Sequence, residues 1–356
     1  MKILCIGHTS YDITCPMEDY PIENTKYRLT EKVESGGGPA SNAAYLLGKW
    51  GMDVWIATVI GSDDFGEKIK KEFSSVGVKT DLIETTYEKA TSLSFIIINK
   101  KSGTRTVFNV ADEYTALKKY QYEFTPDIIY TDGHDYGAAQ NAITKFPNAI
   151  RIVDAGRVTK ELLELCKYMH YIVCSKGFAE TVSGLKINFE VPNTLVNVYS
   201  KLKARFPSAN IIITLEEKGA LYVHNNQVKI MPGLKVEAKD TTGAGDIFHG
   251  AFTYGIANKY DLEKCITLAN IAGGLSVKTV GSRASVPALS TVLDEYAQKM
   301  NVMATSPANQ NAPQAQMQTQ VSQPSTSTPE KQVVASQTPQ PGITEPAVST
   351  NGQGQQ

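Results

Sequence analysis

The chain has 356 residues, 42% of them apolar, and its 35 basic and 36 acidic residues leave a formal net charge of −1. That balance gives no cationic face for nucleic acid or an anionic membrane, and no run of about 18 apolar residues offers a membrane span. The five cysteines (Cys5, Cys15, Cys166, Cys174, Cys265) are scattered and no signal peptide appears, so the sequence reads as that of a protein of the reduced cytoplasm.

In chain order, short β-branched apolar runs alternate with amphipathic stretches. Ile3 to Ile6, Val54 to Ile60, Ile128 to Tyr130, Ile150 to Val153, Tyr171 to Val173 and Ile211 to Leu215 read as buried parallel strands. Phe65, Ile69, Phe73 and Val76 recur at helical spacing, as do Leu162, Leu165 and Met169, so βα units with right-handed crossovers follow. The expected fold class is α/β, doubly wound around a mostly parallel sheet. Two segments break the alternation: Ile13 to Val33, rich in turn residues and charge, and Leu93 to Val110. In the second, Phe95 to Ile98 and Thr104 to Phe108 flank Lys101-Ser102-Gly103, a hairpin signal. After Asn301 the composition turns to Gln, Pro, Ser, Thr and Ala with no aromatic residue, which predicts a solvated tail over 301–356. A Gln-rich adhesive segment is the alternative there, and no motif selects it.

The densest chemical signal is Asp240-Thr241-Thr242-Gly243-Ala244-Gly245-Asp246, followed by the apolar run Ile247 to Ile256, which reads as a buried helix. With small residues at its opening, the first amides of that helix can converge on one anion, and the helix dipole adds to their pull. A carboxylate closing such a loop repels a bound phosphoryl group unless it faces the attacking hydroxyl, the position of a kinase base. A capped helix with a glycine-rich lead-in is the plainer reading of the same residues.

The segment DTTGAGDIFHGAF resembles the C-terminal signature of the ribokinase-like (PfkB) carbohydrate kinase family. Gly36-Gly37-Gly38-Pro39-Ala40-Ser41-Asn42-Ala43-Ala44, running into Leu47-Gly48-Lys49-Trp50-Gly51, is similar to that family's N-terminal glycine signature. The likeness covers about the first 300 residues, so it implies a kinase domain over 1–300. It also implies a small β-sheet lid within 12–36 and 91–111 that covers the sugar and is often shared in a homodimer. The implied reaction is ATP-dependent phosphorylation of a sugar hydroxyl, with Asp246 as base and the amides of Gly243, Ala244 and Gly245 as the anion hole. Asp12, Gly37, Gly38 and Asn42 then contact the sugar. His134, in Asp132-Gly133-His134-Asp135 after a strand, is a further substrate candidate that reads equally well as a turn residue, and Arg105, on the hairpin, is another that reads more readily as a solvated strand residue. Read without the resemblance, Gly36 to Gly38 are a flexible turn before a helix capped by Ser41.

On the nucleotide side the resemblance points to Thr214, Gly219 and Asn270, and to the loop Thr279 to Ala284. Glu216 stands where the family usually writes glycine, a departure that touches the adenosine contacts. No Walker A loop competes, since Gly61-x4-Gly66 is followed by Glu67-Lys68, and Asp63 and Asp64 read as a turn and helix-start pair. Magnesium is implied with ATP, held mainly through the phosphates, with Glu180 as the one protein candidate because the N-x-x-E motif of many members is replaced by Ser175-Lys176-Gly177-Phe178. Potassium is a further implication, beside Asp240 and Thr242. This stretch, with Asp132 to Asp135 and Asp154-Ala155-Gly156, looks more like the ketohexokinase-like and sulfofructose-kinase-like branch than like ribokinase. Cys166, His170 and Cys174 are spaced as helical metal ligands, but a strand over Tyr171 to Val173 would make them diverge. The functional expectation is a kinase for a ketose or related sugar or sugar acid. The alternatives are a nucleoside kinase of the same family and a non-catalytic sugar-binding regulator.

Overall fold

A computed structural model describes residues 1–110 and 115–305, all within one compact unit. The elements are β1 (Lys2–Ile6), β2 (Ser10–Met17), β3 (Val33–Gly37), α1 (Pro39–Lys49), β4 (Asp53–Gly61), α2 (Asp64–Ser75), β5 (Ile83–Thr86), β6 (Leu93–Asn99), β7 (Arg105–Val110), β8 (Ile128–Thr131), α3 (Tyr136–Lys145), β9 (Ile150–Ala155), α4 (Lys160–Cys166) and β10 (Tyr171–Ser175). They continue with α5 (Lys176–Ser183), α6 (Asn193–Arg205), β11 (Asn210–Thr214), β12 (Ala220–His224), β13 (Gln227–Met231), α7 (Ala244–Ala257), α8 (Leu262–Ser276) and α9 (Leu289–Thr305). Helix α9 carries ordered chain past the expected start of the tail, and the remainder of that tail lies outside the described residues.

Nine strands form the large sheet in the order β13-β12-β11-β10-β9-β8-β1-β4-β5, parallel from β11 to β5. Each of the six predicted strands is present. The strands are apolar on both faces because helices cover both: Ile3 and Cys5 of β1 join one core with Leu46 of α1 and Phe252 of α7, while Leu4 and Ile6 join the other with Leu162 and Leu202. The antiparallel edge, β12 and β13, was not expected. Its two-residue turn, Asn225-Asn226, has both residues at positive φ (50° and 60°), a hairpin signal carried by Asn in place of the commoner Asn-Gly.

A second, four-stranded sheet, β3-β2-β6-β7, is built from the two segments that broke the alternation. Residues β6 and β7 pair as the expected hairpin, and β2 joins β6 in parallel. Strand β7 is exposed along its whole length. Helix α1 starts at Pro39 behind Gly38, so Ser41 lies inside the helix and does not cap it; proline at the first turn needs no amide partner there. Asp63 caps α2 by accepting from the Gly66 amide at 2.9 Å, as its sequence position suggested.

Candidate active site

Helix α7 opens on Gly243, whose φ of 75° is left-handed and whose added Cβ would come within 2.9 Å of Ser282. Only glycine fits that turn. No side chain caps the helix, and the space beside Gly245 is open, so its first amides are presented to whatever enters. Asp246 sits in the first turn. Its carboxylate accepts a 2.7 Å hydrogen bond from Nδ2 of Asn42, the α1 residue that the glycine signature delivers. Protein encloses Asp246 yet part of its surface remains open. Burial, then the neighbouring Asp154 carboxyl, pushes its pKa up to about 7, against the opposing pull of Asn42, His249 and Arg105.

The three glycines before α1 each yield room to a different group. A Cβ on Gly37 would stand 2.0 Å from Oδ2 of Asp12, one on Gly36 2.3 Å from the Arg283 guanidinium, and one on Gly38, at φ 96°, 2.5 Å from the His8 carbonyl. Asp12, on β2, is buried and accepts from Ser10 Oγ at 2.9 Å; burial raises its pKa. Oδ1 of Asn42 is also buried with no partner among the described residues, an acceptor waiting for a donor. Arg283, absent from the sequence reading except as part of a loop, is fully enclosed. It pairs with Glu72 and Ser41 at 2.5 Å each and lies over the Phe73 ring, so it pins the glycine loop from behind.

Asp132 accepts from the amides of His8 (2.9 Å), Ala40 (3.1 Å) and His134 (3.0 Å), tying β1, α1 and the turn after β8 together. His134 faces Asp132 through Nδ1 at 3.2 Å, stacks on His8, and meets Arg157 through Nε2. His8, His134 and Arg157 help to wall a cavity of about 1240 Å³ that Ile13 of β2 and Asn109 of β7 also line. Asp12, Asn42 and Asp246 are not among the residues that wall it. Arg105 reaches from the small sheet to the anion loop, donating to Thr241 Oγ1 at 2.7 Å.

The nucleotide and cation candidates fall into two groups. Asp240 uses both oxygens internally, accepting from the amides of Thr242 and Gly281 at 2.8 Å, while Thr242 Oγ1 is buried without a partner among the described residues. Thr214 Oγ1 donates to the Cys174 carbonyl at 3.3 Å, and Glu216 opens a short 3-10 turn at φ 56°. A Cβ on Gly219 would collide with the Met231 carbonyl at 2.0 Å, the same carbonyl that Asn270 Nδ2 bonds at 3.0 Å, so both residues secure the end of β13. Glu180 is occupied by Lys186 at 2.7 Å and the Ile187 amide at 3.0 Å, which fastens the chain after α5. Among the described residues no group of three or more His, Cys, Asp or Glu side chains could hold a metal. Cys166 ends α4 and Cys174 lies on β10, while His170 bonds Arg151 between them, so that spacing makes no site.

Uncapped amides and a carboxylate of raised pKa, at the strand ends of a doubly wound domain with a small covering sheet, define a phosphotransferase that accepts an alcohol. Residues 1–289 match the model of the pfkB family carbohydrate kinases, and the chain belongs to that family. A ribokinase from Staphylococcus aureus is 27% identical over 82% of this chain and 98% of its own length. A nucleoside kinase from Methanocaldococcus jannaschii is 24% identical over 82% and 96%. The ribokinase of Cryptococcus neoformans solved with ADP superposes with a TM-score of 0.69 at 21% identity, over 83% of this chain and 99% of that one, which establishes the shared fold. Among the described residues no helix is long and apolar enough to cross a membrane.

Proposed function

We propose that this kinase transfers the γ-phosphoryl group of ATP to a hydroxyl of a small sugar, a ketose or a related sugar or sugar acid. The observation that carries this reading is the 2.7 Å contact between Asn42 and Asp246, which joins the two family signatures at one point. Asp246 accepts the hydroxyl proton as the sugar oxygen bonds to the γ-phosphorus and the bond to ADP breaks. The amides of Gly243, Ala244 and Gly245 take the charge on the migrating oxygens, a contribution of about 3 to 4 kcal/mol per well-placed donor in other enzymes. Asp12, Gly37, Gly38 and Asn42 hold the sugar, with the unpartnered Asn42 Oδ1 accepting from one of its hydroxyls. His134 and Arg157, which contact each other on the wall of the neighbouring cavity, are the further substrate candidates, and the preference for a ketose follows the likeness to the ketohexokinase-like and sulfofructose-kinase-like branch.

Magnesium bound to the nucleotide phosphates would neutralise their charge, and the scarcity of protein ligands at Glu180 supports that mode of holding it. Potassium beside the anion loop is supported by the orphaned Thr242 Oγ1; Asp240, with both oxygens already engaged, would hold it less directly. A homodimer through the small sheet is supported by the apolar residues that β7 exposes, Val107, Phe108 and Val110. Five free cysteines, four of them buried, suit a reduced compartment such as the cytoplasm.

A nucleoside acceptor is the second reading, favoured by the size of the cavity and the stacked imidazoles of His8 and His134 on its wall. A non-catalytic regulator is disfavoured by the intact Asp246 and its open helix end. The test is an ADP-release assay over ketoses, aldoses, sugar acids and nucleosides. Turnover with a sugar or sugar acid supports the proposal, turnover with nucleosides alone moves the activity to the second reading, and no turnover with any compound contradicts both.

A further inference from the structure

Three neighbouring strands of the large sheet, β9, β8 and β1, each bring a nitrogen-bearing side chain to the wall of the 1240 Å³ cavity: Arg157 follows β9, His134 follows β8 and His8 follows β1. They stand past the carboxyl ends of those strands, and β1 has β4 and β5 on one side and β8 to β11 on the other, the switch point at which open α/β sheets take ligands. The two imidazoles stack with centroids 4.9 Å apart, and the exposed Arg157 guanidinium meets Nε2 of His134. Burial, then the neighbouring His134, holds the His8 imidazole down at about 4, so at pH 7 it is neutral and offers a donor without charge. A guanidinium has five N–H donors, and His134 is the only polar partner of Arg157 among the described residues. Most of its donors, and its charge, face what enters the cavity.

Two hydroxyls belong to the same wall. Thr9 is 2% exposed, and its Oγ1 is buried with no partner among the described residues; Oγ of Ser92 is in the same position. Buried hydroxyls are normally hydrogen-bonded, so these two call for a polar ligand. The carboxylates nearby are committed elsewhere or stand in solvent. Glu34 pairs with Lys32 at 2.5 Å and Lys68 at 3.2 Å, Asp63 accepts from the Gly66 and Thr91 amides, and Asp64 is exposed in the first turn of α2. Asp132, which faces His134, spends its two oxygens on backbone amides and does not line the cavity. A neutral ring would stack on the imidazoles and leave the guanidinium unanswered, whereas a negatively charged oxygen forms with it the stronger, charge-assisted hydrogen bond. We propose that Arg157, His134 and His8, with the hydroxyls of Thr9 and Ser92, form a subsite for a small oxyanion, a carboxylate or a phosphate, carried by the acceptor sugar or bound as a separate ion. The first source rests on the kinase reading and narrows its substrate to an anionic sugar. It is within reach because His8 adjoins the sugar loop: its carbonyl packs against Gly38, and its amide shares Asp132 with that of Ala40.

Histidine resonances test the subsite without turnover. In the full chain labelled with 15N-histidine, its five histidines assigned by single substitutions, inorganic phosphate or gluconate should shift the His8 and His134 signals saturably, and Arg157→Gln should weaken that binding about tenfold. His249, hydrogen-bonded to the Gly245 backbone, reports separately on an anion held at the opening of α7. His8 and His134 signals that ignore both anions, or that respond as strongly in Arg157→Gln, overturn the subsite and leave the kinase reading standing. Kinetics over paired acceptors, each neutral sugar beside its carboxylate and its monophosphate, then decide the source. A kcat/KM at least about tenfold higher for an anionic member, with that advantage falling about tenfold in Arg157→Gln, puts the oxyanion on the acceptor. An equal or lower kcat/KM for the anionic members, with the histidine shifts present, supports the subsite as one for a separate ion. Absence of turnover with every acceptor counts against the kinase reading, and the histidine shifts still decide the subsite.

Discussion

In the proposed reaction Asp246 concentrates the chemistry into one titration. A base must be ionised to accept a proton, and burial with Asp154 nearby raises this carboxyl to about 7, so kcat should rise with pH through neutrality and level off above it. Stability runs the opposite way. The folded state binds the proton more tightly than the unfolded chain, whose carboxyl titrates near 3.8, so the stability tied to this group is fully present below about pH 4 and lost as pH rises through about 7. Asp246→Asn should therefore melt above wild type at about pH 8 and match it near pH 4, a difference read by calorimetry at both values. Gly37→Ala tests the sugar side: a methyl 2.0 Å from Asp12 must displace that carboxylate, so the sugar KM should rise at least about tenfold while the ATP KM holds. An unchanged sugar KM would take Asp12 out of the binding site. Asp246 and Gly37 were legible in the sequence because each belongs to a contiguous motif whose local backbone does the work. The contact between Asn42 and Asp246 spans 204 residues and was not legible, nor were the ion pair of Arg283 with Glu72 or the proximity of Asp154 to His249. Long-range pairs of this kind leave no spacing pattern.

The elements explain how such distant residues meet. Helices α1 and α7 cross at Gly250, where an added Cβ would lie 3.2 Å from Cα of Ala43, next to Asn42. Close approach of the two backbones is what brings Asn42 within reach of the first turn of α7. Gly250→Val should overpack that crossing, costing about 1 to 3 kcal/mol of stability and lowering kcat although no catalytic group changes. Denaturant unfolding and turnover should move together; a stable variant with full activity would show that the crossing has slack. The strands feeding this arrangement were legible because parallel strands buried on both faces are continuous apolar runs. The β12–β13 edge was not, since β13 (Gln227–Met231) is only half buried and its Asn-Asn turn is a weaker cue than Asn-Gly. The start of α1 was misplaced at Ser41 because serine is a common cap, whereas Pro39 behind a left-handed Gly38 sets the true boundary.

At the scale of the whole molecule, the small sheet presents an apolar outer strand, with Val107, Phe108 and Val110 each about half exposed. Light scattering after gel filtration should give twice the chain mass for wild type and a monomer for Phe108→Lys; a monomeric wild type would refute dimerisation through this face. The family match covers residues 1–289 of the 356. The proposed reaction turns on one proton acceptor at the mouth of α7. The most direct measurement is kcat of Asp246→Asn beside wild type with the best sugar from the acceptor screen, after circular dichroism has shown both folded. A fall of about 10² to 10⁴ in kcat with the sugar KM little changed is predicted; turnover within a few fold of wild type would contradict the assignment of Asp246 as the base.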